Sequence, residues 1–90
     1  MEKEILQILD LINKQNIDKA FVEATKYYSK NKSNKKIMNI VAYLLIQKNK
    51  FEDAIDLQEN FYKENNEEKD FDFYINMGVS LKSIEEYKDS

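Results

Sequence analysis

The chain lacks cysteine, histidine, proline, arginine and tryptophan, and it contains a single glycine, Gly78. Without cysteine and histidine it can form no disulfide, offers no thiolate nucleophile or imidazole base, and lacks the usual ligands of zinc and copper. Without proline, and with one glycine, it has almost none of the residues that mark hairpins and strand ends. These absences favour an all-α fold.

Two further absences bear on the class of partner. Arginine, which reads guanine, is missing, and the formal net charge is −3, so the basic surface typical of nucleic-acid binding is not expected. The longest apolar run, residues 40–46, is far shorter than the roughly 20 residues that span a bilayer. The N-terminal segment lacks the basic start and unbroken apolar core of a signal peptide. We therefore predict no nucleic-acid partner, no membrane association and a cytoplasmic location.

The residues that are present suffice for a folded core. Of the 90 residues, 42% are apolar and 34% are charged, which is typical of a globular protein rather than of a disordered one. A chain of this length forms one small domain. We therefore assign residues 1–90 to a single domain.

Similar residues recur in the chain at a nearly constant spacing. Thirty-four residues separate Ile17 from Phe51, and 36 separate Phe51 from Tyr87. The same offsets relate three further sets of positions: Ile8, Ala42 and Gly78; Leu11, Leu45 and Leu81; and Ala20, Ala54 and Ser90. A period of this length is typical of helical repeat proteins, and it divides the chain into repeat 1 at about 1–34, repeat 2 at about 35–70 and a partial repeat 3 at about 71–90.

Each repeat has the apolar spacing of two helices, which we call A and B. The predicted helices cover residues 2–14, 18–30, 35–48, 52–64 and 71–83, and a sixth helix opens at residue 87. Asp18 is suited to cap the second of these helices. Because the connecting segments are short, helices that follow one another in the chain should be antiparallel and in contact.

These positions resemble the tetratricopeptide repeat, whose 34-residue unit consists of two helices with small residues where they pack closest. The residues that carry the resemblance are, by repeat, Leu11, Ile17, Ala20, Ala24 and Tyr27; Met38, Val41, Ala42, Leu45, Phe51, Ala54 and Phe61; and Tyr74, Met77, Gly78, Leu81, Tyr87 and Ser90. The family's usual proline near the end of each unit is missing, with Lys32 and Glu68 nearby, and the second unit is two residues longer. The resemblance implies a short right-handed α-solenoid of about five helices.

Small residues predict where helices approach one another closely. Ala20 and Ala54 begin short B helices, and a bulky side chain at either position would push helix B away from helix A. Gly78 would cost about 1 kcal/mol in mid-helix relative to alanine. We expect it to allow a close approach by a third B helix, the alternative being a glycine that the helix merely tolerates.

The third B helix is only begun at residue 87, so we predict an N-terminal fragment of a longer repeat protein. An uncovered face of Tyr74, Met77 and Leu81 then offers a possible homodimer surface. The alternative is that residues 71–83 form a capping helix, which needs a polar outer face.

By resemblance, the A helices line a concave face that receives a peptide or protein. The predicted site residues on this face are Asn13, Lys36, Asn39, Tyr43, Gln47, Ile75, Val79 and Lys82. The polar side chains could hydrogen-bond a peptide backbone, and Ile75 and Val79 could hold apolar side chains. The alternative is that these residues only form solvated helix faces.

No residue pattern indicates a catalytic group, a metal ligand set or a cofactor site. Neighbouring carboxylates such as Glu52 and Asp53 point in different directions on a helix, so they do not form a general acid–base pair. Glycine-rich phosphate loops are missing. We therefore predict a protein-protein interaction scaffold that is not an enzyme and has no cofactor. Two alternatives remain: a substrate-holding arm of a larger enzyme such as a glycosyltransferase, and a self-association module that pairs through the third A helix.

Overall fold

Five α-helices make up the described part of the chain in a computed structural model, which describes residues 2–66, 68–69 and 71–89. They are α1 (Glu2–Asn13), α2 (Ile17–Lys30), α3 (Lys35–Gln47), α4 (Phe51–Glu64) and α5 (Phe71–Asp89). No strand occurs among the described residues, so the predicted all-α fold is confirmed. The first four helices begin and end within one residue of their predicted bounds.

Each helix packs against the next one in the chain, and α3 also contacts α5. Connections at 14–16, 31–34 and 48–50 join the first four helices, and connections this short make consecutive helices antiparallel neighbours. The principal dimensions, 41 × 33 × 19 Å, are those of a flat stack of helices. None of the helices within the described ranges combines the length and the apolar character needed to cross a membrane. The right-handed twist of a solenoid stays a prediction.

The turn between α1 and α2 is a Schellman motif. Gln15 has a left-handed backbone with φ 61°. Its N–H donates to the carbonyl oxygen of Ile12 at 2.9 Å, and the N–H of Asn16 donates to the carbonyl oxygen of Leu11 at 2.9 Å. These two bonds satisfy carbonyl groups that the end of α1 leaves without an intrahelical partner.

The turn between α3 and α4 has the same geometry 34 residues further along. Asn49 has φ 62°, its N–H donates to Ile46 at 3.0 Å, and the N–H of Lys50 donates to Leu45 at 2.8 Å. The left-handed residue and the two hydrogen bonds of the first turn therefore recur 34 residues later, which is the offset found in the sequence. The first two A–B turns therefore have the same backbone structure.

The start of α2 differs from the prediction, because Asp18 does not cap the helix. The N-cap residue is Asn16, which makes no side-chain capping bond within the described chain, and Asp18 lies inside the first turn. The Nζ atom of Lys48, just after α3, donates a hydrogen bond to Asp18 Oδ1 and forms an ion pair with it. This bond, together with the charge of Lys48, holds the pKa of Asp18 below its usual value. Asp18 thus ties α2 to the end of α3.

The first hydrophobic cluster fills the space between α1, α2, α3 and α4. Its buried members are Ile8, Ala20, Ala24, Ile37, Val41, Leu44, Leu45 and Ala54. Ala20 and Ala54 are fully buried, as their predicted place between helices requires. A larger side chain at either position would have to displace a neighbouring helix.

The second hydrophobic cluster joins α5 to α3 and α4, and its buried members are Met38, Phe61, Tyr62 and Phe73. The ring centroids of Tyr62 and Phe73 are 4.8 Å apart in an edge-to-face arrangement, which aromatic pairs favour. Tyr28 of α2 and Leu57 of α4 pack against both clusters. Burial raises the pKa of the Tyr28 phenol, and the charge of Glu64 adds to the effect.

Helix α5 is longer than predicted. It runs without a break from Phe71 to Asp89, so the turn expected after residue 83 and the sixth helix expected at 87 are wrong. The segment after Gly78 contains no proline and no second glycine to end a helix, and it is rich in good helix formers. The predicted contacts of Ser90 and of the Tyr87 side chain lie outside the described residues.

The packing of α5 corrects two further predictions. A Cβ atom added to Gly78 would meet no described atom of a neighbouring element within 4 Å, so Gly78 marks no close helix approach inside the described chain. Met77 is half-buried against the second cluster instead of lying on an uncovered face with Tyr74 and Leu81. Phe73, on the packed side of α5 with Met77, is buried, whereas Tyr74 and Leu81 are exposed as predicted.

Candidate functional site

Four of the predicted site residues form one stripe on α3. Lys36, Asn39, Tyr43 and Gln47 are three or four residues apart, so they share one side of the helix. Lys36, Tyr43 and Gln47 are exposed, with 41% of Tyr43 accessible to solvent, and Asn39 is half-buried. Six buried apolar residues on the rest of α3 anchor it in the core. The stripe is therefore held on a rigid element, which suits a binding site.

Three more of the predicted site residues lie on α5, a helix that contacts α3. Ile75, Val79 and Lys82 are all exposed, and their spacing again places them along one side of the helix. We call these seven residues of α3 and α5 the α3–α5 face. Asn13, the eighth predicted residue, stands apart, because it is exposed at the end of α1, which packs mainly against α2.

The α3–α5 face offers groups of two chemical kinds. Lys36 is a donor, Gln47 is both a donor and an acceptor, and Tyr43 combines an apolar ring with a hydroxyl group. Asn39 Oδ1 is buried and has no hydrogen-bond partner among the described residues. The exposed Ile75 and Val79 add apolar area.

A groove between α1 and α2 is absent from the sequence-based prediction. Its volume is about 860 Å³, and its lining residues are Lys3, Glu4, Leu6, Gln7, Ile8, Asp10, Leu11, Lys19, Glu23, Lys26, Tyr27, Lys30 and Asn31. The sequence does hold a signal for it, since Lys19, Glu23, Lys26 and Lys30 follow helical spacing. The spacing alone does not reveal that this charged stripe faces α1. Charges of both signs line the groove, so its electrostatics favour no single class of ligand.

A third surface lies on α5 and is apolar. Phe71, Tyr74, Gly78 and Leu81 are separated by three, four and three residues, so they share one side of the helix. Phe71 is 75% exposed, Tyr74 62% and Leu81 50%. We call these four residues the α5 end face. It borders the α3–α5 face along Ile75 and Lys82, which follow Tyr74 and Leu81 in the chain.

Within the part of the chain that the structure describes, no three acidic side chains come together in a way that could hold a metal ion. Comparison of the chain with protein-family models, with curated proteins and with solved structures gives no match. The function must therefore be argued from the surfaces of the molecule itself.

Proposed function

We propose that this chain is a non-catalytic protein-interaction scaffold that binds a peptide segment of a protein partner on the α3–α5 face. The observation that carries the proposal is the exposed Tyr43 on α3, a helix in contact with the exposed Ile75 and Val79 of α5. Tyrosine is enriched in interfaces because its ring supplies apolar area while its hydroxyl group keeps a hydrogen bond.

The length of the stripe on α3 suits an extended peptide. Lys36 and Gln47 are 11 residues apart, which corresponds to about 16 Å along the helix axis. An extended peptide covers that distance with about five residues. Polar groups along this length could bond its backbone, and Ile75 and Val79 could take its apolar side chains.

The proposal includes a fold similar to the tetratricopeptide repeat. Its support is the sequence period of 34 residues and the recurrence of one A–B turn, with left-handed Gln15 and Asn49, at the same offset. A cytoplasmic location and the absence of nucleic-acid and membrane partners complete the proposal, on the basis of composition and charge.

The test uses a library of displayed random peptides of about 12 residues, which is selected on the 90-residue chain. The affinities of the selected peptides are then measured by fluorescence anisotropy. We expect Tyr43→Ala to lower the affinity by about tenfold or more, because a central interface tyrosine is typically a hot spot. Tyr43→Ala combined with Asn39→Ala should abolish capture while the helical circular dichroism spectrum stays unchanged.

Tyr74→Ala is the matched control, since Tyr74 is another exposed helix tyrosine and lies outside the α3–α5 face. Selected peptides should bind this variant as tightly as the unaltered chain. If Tyr43→Ala binds them with unchanged affinity, or if the control loses as much as Tyr43→Ala, the proposed site is wrong. A library that yields no binder would also count against a peptide site.

A further inference from the structure

Helix α5 contributes few side chains to the core for its length. Among its described side chains only Phe73 and Ser80 are buried, whereas the shorter helices α3 and α4 bury six and five residues. Its apolar members of the hydrophobic clusters are Phe73 and Met77, both in the second cluster. No described residue of α5 belongs to the first cluster. The packing that holds α1, α2, α3 and α4 together is therefore largely independent of α5.

Ser80 weakens the docking of α5 on its neighbours. The hydroxyl group is buried and has no hydrogen-bond partner among the described residues. If α5 separated from α3 and α4, this group would gain hydrogen bonds to water. Gly78 adds to the effect, because glycine lowers the stability of a helix interior relative to alanine. No described atom of a neighbouring element lies close enough to gain from the missing side chain.

Helix α1, at the other end of the stack, shows the contrast. Its buried residues are Ile5 and Ile8, and Leu11 and Ile12 also pack against the first cluster. All four side chains are apolar, and every described polar side chain of α1 is exposed. Burial of α1 thus removes apolar area from water without stranding a polar group. Of the two terminal helices, α5 is the one that is held less firmly.

We propose that α5 is a movable clamp, which separates from α3 and α4 while the first four helices stay folded, and which a peptide bound on the α3–α5 face holds in its docked position. The two halves of that face lie on different helices, with Tyr43 on α3 and with Ile75 and Val79 on α5. The face is therefore whole only while α5 is docked. A ligand that contacts both helices binds the docked form better and shifts the equilibrium towards it. This effect of the peptide rests on the proposed function, but the separation of α5 does not.

The first test is native-state amide hydrogen exchange of the free 90-residue chain, followed by NMR at low urea concentrations. Amides in the middle of α5 should exchange at least about tenfold faster than those of α3 and α4, and they should respond together to urea, as a cooperative unit does. Exchange as slow as that of α4 would overturn the proposal. So would a gradient that rises steadily towards residue 89 without any response to urea, because that is the behaviour of a fraying helix end.

Ser80→Ala and Ser83→Ala form a matched pair that tests the cause of the separation. Both substitutions improve helix propensity equally, but Ser83 is only half-buried, and Ser80→Ala alone removes the buried hydroxyl group that lacks a partner. Ser80→Ala should slow exchange in α5 by about tenfold, and Ser83→Ala by about twofold. Exchange in α1 should be unchanged in both variants. Equal effects in the two variants would overturn the role assigned to Ser80.

The last test adds a peptide from the selected library at about ten times its dissociation constant. If the peptide binds only the docked form, exchange in α5 should slow by about tenfold, because the docked population is favoured by the factor 1 + [L]/Kd. Tyr43→Ala at the same peptide concentration should show a smaller effect. A peptide that binds in fluorescence anisotropy without slowing exchange in α5 would overturn the clamp and leave the peptide site intact. A library without binders would overturn the peptide site, while exchange in the free chain would still decide whether α5 separates.

Discussion

Gln58 of α4 is a polar side chain in the interior of the molecule. It is fully buried, and neither its Nε2 nor its Oε1 atom has a hydrogen-bond partner among the described residues. The hydroxyl group of Ser80 on α5 is also buried and has no hydrogen-bond partner among the described residues. Since a buried polar group that lacks its hydrogen bond is destabilising by about 1–3 kcal/mol, these two residues are weak points in the interior of the molecule.

Gln58→Met tests this weak point because methionine has nearly the shape of glutamine without the amide. We expect the substitution to raise the free energy of unfolding by about 1–2 kcal/mol, as the unsatisfied amide is removed and the volume is kept. Urea unfolding monitored by circular dichroism measures the change. Gln47→Met, at an exposed position, should stay within about 0.5 kcal/mol. A loss of stability in Gln58→Met would mean that the amide is hydrogen-bonded after all.

At the scale of the single element, helices α2 and α3 begin in different ways. Asn34, the N-cap of α3, accepts hydrogen bonds through Oδ1 from the N–H groups of Lys36 at 3.0 Å and Ile37 at 3.3 Å. Asn16, the N-cap of α2, makes no such side-chain bond within the described chain. The same residue type therefore stabilises one helix directly and the other only through its backbone.

This difference makes Asn34→Ala and Asn16→Ala a matched pair of substitutions. Asn34→Ala should lower the free energy of unfolding by about 1 kcal/mol, because two N–H groups at the start of α3 lose their acceptor. Asn16→Ala should change it by less than about 0.5 kcal/mol. The comparison is made by urea unfolding of both variants under one set of conditions. Equal losses in the two variants would contradict the role assigned to the Asn34 side chain.

Which elements could be predicted from the sequence depends on how many sides of each helix are apolar. Helices α1 to α4 have one apolar side, so spacing predicts their bounds and the exposed stripe around Tyr43. Helix α5 is apolar on two sides, and spacing alone cannot tell that Met77 packs inward while Tyr74 does not. The sequence after Gly78 contains no residue that would end α5. The repeat period nevertheless predicts a turn there, which the helix does not make. The groove between α1 and α2 depends on packing, which spacing does not give.

At the scale of the whole molecule, the core is divided along the stack. The first cluster is shared by the four helices α1, α2, α3 and α4, and the second cluster joins α5 to α3 and α4. Tyr28 and Leu57 pack against both clusters. In a stack, each helix pair is stabilised mainly by its neighbours, so local loss of packing stays local. The two ends of the molecule should therefore respond separately to mild core substitutions.

Phe73→Leu and Ile8→Val test whether the two ends respond separately. Each shortens one buried side chain, at one end of the stack, and each should lower stability by about 1 kcal/mol. Amide hydrogen exchange should show faster exchange in α5 for Phe73→Leu and in α1 for Ile8→Val, with the opposite end unchanged. Uniformly faster exchange throughout both variants would indicate a single cooperative core instead.

The recurrence of one A–B turn has a consequence for how the protein can grow. Asn16 and Lys50 occupy equivalent places, each closing a Schellman motif and each accepting the first hydrogen bond of the following helix, from Ala20 and Ala54. A second copy of residues 17–50 spliced in after Lys50 would meet the same backbone geometry at both of its junctions. The segment is thus a self-contained building block, and duplication of its coding sequence would lengthen the protein without the need to evolve a new linker.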